Sequence, residues 1–124
     1  MPILSIKIPT GHSDESKQTL LKGLTEAVTS SVAAPLHTIR ITIDEVSPAN
    51  TIVAGEIGQP NVIIQVSMIA GRTEALKAQL IAHLSQAVQD TTGISKEHTR
   101  VLIQDYPTTD MGVAGGISAK AAGR

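Results

Sequence analysis

Shifted by 60 positions, this 124-residue sequence falls on itself without a gap. Ile3 lands on Ile63, Gly11 on Gly71, Lys17 on Lys77, Leu20 on Leu80 and Leu24 on Leu84. Further along, Ala27-Val28 meets Ala87-Val88, Arg40 meets Arg100, Ile43 meets Ile103, and Val53-Ala54-Gly55 meets Val113-Ala114-Gly115. Core, turn and charged positions all match, which shared periodicity alone does not produce. The chain is a tandem duplication, and whatever one half folds into, the other must repeat.

Each half reads as β-α-β. Leu4, Ile6 and Ile8 alternate with Ser5 and Lys7 in a half-buried strand over residues 3–9. After the turn Thr10-Gly11-His12, Ser13 precedes Asp14 and Glu15 as an N-cap with acidic residues at the positive end of a helix. Leu20, Leu21, Leu24, Ala27, Val28 and Val32 make one apolar stripe of that helix. It must end before Pro35, which disfavours helical geometry in the residue preceding it. Ile39, Ile41 and Ile43 then alternate with Arg40, Thr42 and Asp44 in a second strand. The second half predicts a strand over Val62, Ile64, Val66 and Met68, and a helix capped at Thr73-Glu74. The stripe of that helix is Leu76, Leu80, Ile81, Leu84, Ala87 and Val88, and a last strand follows over Arg100–Gln104.

Between the halves lies only Gly58-Gln59-Pro60, too short to separate independent domains. Residues 1–124 are therefore expected to form a single domain with internal repeats at about 1–59 and 61–119. Strand–helix–strand crossovers are right-handed and pair their strands in parallel. The predicted fold is α+β: two tandem β-α-β units forming one four-stranded mixed sheet with two helices on one face. The other face has no cover within the chain and calls for oligomerisation.

Composition narrows function by exclusion. Ten basic residues balance eleven acidic ones with no basic run, and Tyr106 is the lone aromatic. Clustered phosphate contacts and base-stacking platforms are both missing, so no nucleic-acid partner is expected. Absence of cysteine removes disulfides, thiolate nucleophiles and zinc–sulfur sites. His12, His37, His83 and His98 do not show the helical spacing of a metal site, and no cofactor is implied. No apolar run approaches the roughly 20 residues that span a bilayer, and no signal-peptide pattern opens the chain. No membrane partner is expected, and a soluble cytoplasmic protein is the expectation. Residues 120–124 read as a frayed tail.

Pro2 follows the first methionine directly. If Met1 is removed, Pro2 becomes a free secondary amine at the head of a strand, able to act as a base where an internal proline cannot. Alternatively, Pro2 simply opens an edge strand without owing a ladder hydrogen bond.

Taken in order, Pro2-Ile3, Gly11-His12-Ser13-Asp14-Glu15, Ala34-Pro35-Leu36 and Ile39-Arg40-Ile41 resemble the tautomerase superfamily, most closely 4-oxalocrotonate tautomerase. Gly71-Arg72-Thr73-Glu74, Thr99-Arg100-Val101 and Met111-Gly112-Val113-Ala114-Gly115-Gly116 repeat the pattern. The likeness covers nearly the whole chain, and each half is about one short subunit long. It implies a fused form that assembles as a homotrimer, and an isomerase acting on a small carboxylate substrate. Keto–enol proton transfer (1,3- or 1,5-) on a 2-hydroxydienoate or 2-oxo acid would use Pro2 as general base. Arginines would bind the carboxylate and the developing enolate.

That likeness also assigns the site. His12 stands where the family has a substrate-binding arginine, which the second half keeps as Arg72; Val62 stands where the second half would have its proline. Pro2 would then use Arg72 of the other half, giving one working site per chain. The family's strand arginine, supplied by a neighbouring subunit, matches both Arg40 and Arg100, with a structural ion pair at a subunit contact, for instance to Asp44 or Asp105, as the alternative. At the family's aromatic wall stand Thr51 and Met111, and Met111 could line the pocket. Tyr106 could orient water or substrate, or simply pack at a strand end. Two other readings stay open on the same scaffold. One is a hydratase-dehalogenase or decarboxylase of a three-carbon acid, drawing on Tyr106, Asp105 or Asp110. The other is a trimeric binding module without chemistry.

Overall fold

The computed structural model describes all residues, Met1–Arg124. Both halves fold as β-α-β with boundaries that agree to within one residue. In the first, β1 is Ile3–Pro9, α1 is Asp14–Val32 and β2 is Arg40–Val46, followed by a two-stranded ribbon of β3 (Ile52–Val53) and β4 (Glu56–Ile57). The second half repeats them as β5 (Val62–Ile69), α2 (Glu74–Thr92) and β6 (Thr99–Tyr106), with a ribbon of β7 (Gly112–Val113) and β8 (Ile117–Ser118). Both helices start and stop 60 residues apart, as the duplication requires.

Local chemistry fixes those ends. Oγ of Ser13 accepts from the Ser16 N–H at 3.1 Å, and Oγ1 of Thr73 accepts from the Leu76 N–H at 3.2 Å, so each helix is capped by the residue its sequence nominated. At the C-terminal ends, Ala33 and Gly93 both adopt left-handed backbone, which stops the helix by turning its last carbonyls inward. Lys17 pairs with Glu45 and Lys77 with Asp105, tying each helix to the following strand by the same contact in both halves.

The sheet runs β2-β1-β5-β6. β1/β2 and β5/β6 pair in parallel while the central β1/β5 pair is antiparallel, giving the mixed four-stranded sheet. In that central pair Ser5 lies opposite Gln65, its own counterpart in the duplication. A pseudo-two-fold axis therefore passes between them, and each end of the sheet is a copy of the other. Leu4, Ile6 and Ile8 meet Val62, Ile64, Val66 and Met68 under both helices, in one core that draws on both halves. Of the two helical stripes, only Ile81 departs from expectation: it is exposed on α2, outside the arc that α1 and the sheet cover. The far face of the sheet carries Ile3, Ser5, Gln65, Arg40, Arg100 and Leu102, and nothing in the chain covers it.

Candidate active site

β1 begins at the pseudo-symmetric end of the sheet where the second half turns from β5 into α2. A pocket of about 400 Å³ lies there, lined by Met1, Pro35, His37, Thr38, Ile69, Arg72 and Arg124. Its walls come from four stretches remote in sequence, Arg124 at the C-terminal end being one. Pro35, His37 and Thr38 belong to the turn before β2, where the Thr38 hydroxyl donates to the Pro35 carbonyl at 2.7 Å. Ile69 and Arg72 belong to the β5–α2 turn, and Met1 precedes β1.

Gly71, at φ 130°, bends this turn into a backbone that other residues rarely adopt, and so sets Arg72 at the pocket. One Arg72 Nη1 donates to the Ile69 carbonyl at 3.2 Å, which holds the guanidinium while leaving its other donors free. Pro2 itself is buried, with its carbonyl accepting from the Arg40 N–H at 3.3 Å. That bond pins the head of β1 to β2 and fixes where the chain's first amine sits. Burial, then the charges of Arg72 and Arg124, hold the Met1 α-amine below its ordinary pKa. All three act against the ammonium form. An amine placed here is thus kept more available as a base near neutral pH.

Pro2, one residue on from Met1, is buried and is not among the lining residues, whereas Met1 and Arg72 line this same pocket. Met111 is buried behind it, packed with Ile69 and Ala119 in a small cluster against which Met1, Tyr106 and Val113 lean. Met1 therefore lies over the apolar wall that Met111 backs. Tyr106 ends β6 half-buried, its carbonyl accepting from the Ala70 N–H at 2.8 Å, and so it joins the site through packing.

Neither strand arginine reaches the pocket within the chain. Arg40 is exposed at the start of β2 beside Ile3, at the Pro2 end of the sheet. Arg100 lies opposite Ile63 at the far end, donating from Nη1 to the carbonyls of Glu97 (2.9 Å) and Thr99 (3.1 Å). Within the chain neither arginine pairs with Asp44 or Asp105, and Asp105 is engaged by Lys77.

The tail corrects the sequence reading. Residues 120–124 do not fray: the Lys120 N–H donates to Thr108 O at 3.0 Å, and the Arg124 N–H to Ala119 O at 2.9 Å. This folded turn carries Arg124 to the pocket. The repeat offers no hint of it, because positions 120–124 map onto Pro60–Ile64, where the first half has already turned into β5. His37 was also missed, since a lone histidine before a strand carries no pattern.

A family model for tautomerase enzymes matches the chain twice, over residues 2–58 and again over 63–121. The chain belongs to the tautomerase family. A 2-hydroxymuconate tautomerase of Pseudomonas putida is 47% identical over 60 residues, which make up 48% of this chain and 94% of that protein. This tautomerase is thus two such lengths joined end to end. Among solved structures, a fused 4-OT described as a wild-type symmetric trimer superposes with a TM-score of 0.96 at 47% identity, covering 98% of this chain and 99% of that one. A protein solved after inactivation by 2-oxo-3-pentynoate superposes at 0.95 with 40% identity, covering 98% and 99%.

Proposed function

We propose that this tautomerase moves a proton along the conjugated system of a small 2-hydroxydienoate or 2-oxo acid, with the Pro2 nitrogen as its base. Removal of Met1 would turn that nitrogen from an amide into a secondary amine and uncover the wall formed by Ile69 and Met111. The neutral amine takes a proton from one end of the substrate's conjugated system as the double bonds shift. The resulting iminium-free, simply protonated ammonium then returns that proton to a carbon two or four atoms away. Nothing else is gained or lost, so no cofactor is required. Arg72 and Arg124 bind the carboxylate and the oxygen on which negative charge develops.

The observation that carries this reading is the convergence of two guanidiniums from the second half on the amine end of the first half. A second feature favours proton transfer over hydration or dehalogenation. No carboxylate lines the pocket to activate water; Asp105 is engaged by Lys77, and Asp110 accepts from Thr109 at 2.8 Å.

The uncovered sheet face, with Ile3 41% and Leu102 55% exposed, and the projecting ribbon with Ile52 and Ile57 exposed support assembly as a homotrimer. The trimers named for the fused 4-OT relatives support the same state. In such an assembly Arg40 or Arg100 of a neighbouring chain would complete the site at Pro2.

Ketonisation of phenylenolpyruvate and turnover of 2-hydroxymuconate, followed by absorbance, test the proposal. Turnover of at least one at a rate well above solvent is expected. Absence of both, together with chloride release from a 3-haloacrylate, would replace it with the hydrolytic reading.

A further inference from the structure

The pseudo-two-fold axis demands a second pocket at the opposite end of the sheet, and one is present. It has a volume of about 540 Å³, larger than the pocket beside Met1. Three lining positions correspond under the 60-residue shift: Pro9 takes the place of Ile69, His12 that of Arg72, and Asn61 that of Met1, while the remaining walls differ. Val62, at the place of Pro2, is fully buried within a continuous strand, so no amine can form there.

This second pocket is nevertheless equipped for an anion. Lys7 lines it, where the counterpart position 67 carries a serine, so divergence has added a cation. Lys7 faces Asp44 across the β1/β2 register, yet it forms no ion pair with any carboxylate, unlike Lys17 and Lys77. His12 likewise spends neither ring nitrogen on an ion pair or on a hydrogen bond within the chain. Gln59 Nε2 already donates to Glu56 Oε2 at 2.9 Å, so the Asn61 side chain supplies the uncommitted amide donor, and Ile94 supplies apolar wall. Unspent cationic and amide donors around a concave, partly apolar cavity of this size are what small-acid recognition requires.

We propose that this second pocket binds a small carboxylate without transforming it, Lys7 supplying the charge and His12 and the Asn61 amide the hydrogen bonds. The inference goes beyond the reading of the Met1 pocket and does not depend on chemistry there.

Titration of the assigned ¹H–¹⁵N spectrum of the intact assembly with cis,cis-muconate, an unreactive dicarboxylate probe, tests it. Saturable shifts are expected at His12, Gly58 and Asn61, besides any at Gly71 and Arg72. Lys7→Gln combined with His12→Asn should weaken the first set at least about tenfold, the loss expected for removing a charged partner. Phenylenolpyruvate turnover should stay within about twofold. If the double variant does not fold, Lys7→Gln alone, at an exposed position, must still weaken that set. Shifts confined to Gly71 and Arg72, or a first set unchanged in the variants, would overturn the proposal. Missing shifts at Gly71 and Arg72 would instead count against the Met1 pocket.

Discussion

At the residue scale, the charge on Arg72 has two separable consequences. As a donor to the substrate's developing oxyanion it should lower the barrier, and loss of such a donor typically costs about 10²-fold or more in rate. As a cation beside the chain's first amine it helps, after burial, to hold the Met1 α-amine below its ordinary pKa. The same charge would act on a Pro2 amine exposed by removal of Met1. Arg72→Ala should therefore cut kcat/KM about 10²-fold and also move the acid limb of the pH–rate profile. The sign follows from the active form: the base must be neutral, removing a positive neighbour stabilises the ammonium, and activity should then rise only at higher pH. Rate profiles of the variant and the parent check both effects, and a lowered rate with an unmoved limb would separate the two roles. Arg72 was legible because the resemblance to the tautomerase superfamily places a substrate-binding arginine at that position, which the first half replaces with His12. Arg124 was not, because a side chain delivered by a terminal turn has no counterpart in the repeat and no periodicity.

At the element scale, duplication makes each half a control for the other. Both helices end in a left-handed residue, yet one uses Gly93 and the other Ala33, which is exposed at φ 51°. A Cβ in that conformation is crowded by the following carbonyl, at about 1–2 kcal/mol. Ala33→Gly relieves this strain but enlarges the unfolded ensemble by about 0.4–1 kcal/mol. The variant should gain about 0.5 kcal/mol net, visible as a small rise in the denaturation midpoint, whereas a loss would mean that Ala33 is not strained. The helix–helix seam shows divergence of another kind. His83 Nδ1 meets Ser31 Oγ at 2.7 Å, while at the equivalent place across the axis Gly23 lets Thr91 come so close that an added Cβ would sit 3.2 Å from its methyl. One end of the seam is held by a hydrogen bond and the other by close approach. The helices themselves were legible from apolar spacing, caps and Pro35, because short-range rules govern them. Which side chains fill the seam was not, because that depends on the distance between two helices 60 residues apart.

At the scale of the whole molecule, the sheet's strand order followed from chirality and repetition: two parallel pairs, joined antiparallel at the centre, place both helices on one face. The pairing of Pro2's end with the β5–α2 turn is a consequence of that arrangement, and a site split between halves could be anticipated from the resemblance to the tautomerase superfamily read together with the duplication. The second pocket could not, since His12 alone reads as a surface histidine and Lys7 as an outward strand lysine. Covering the open face is the remaining demand of the fold. Leu102→Asp would place a charge in the proposed trimer contact, and light scattering should show a shift toward the monomer mass with helix content retained; an unchanged trimer would put the contact elsewhere. The central claim concerns the nitrogen of Pro2. It is tested most directly by kcat/KM for phenylenolpyruvate with Pro2→Ala, after intact mass has established that Met1 is absent from both proteins. The expected result is a fall of about 10²-fold or more, the usual scale for losing a general base; activity within about threefold of the parent would contradict the assignment of Pro2 as the base.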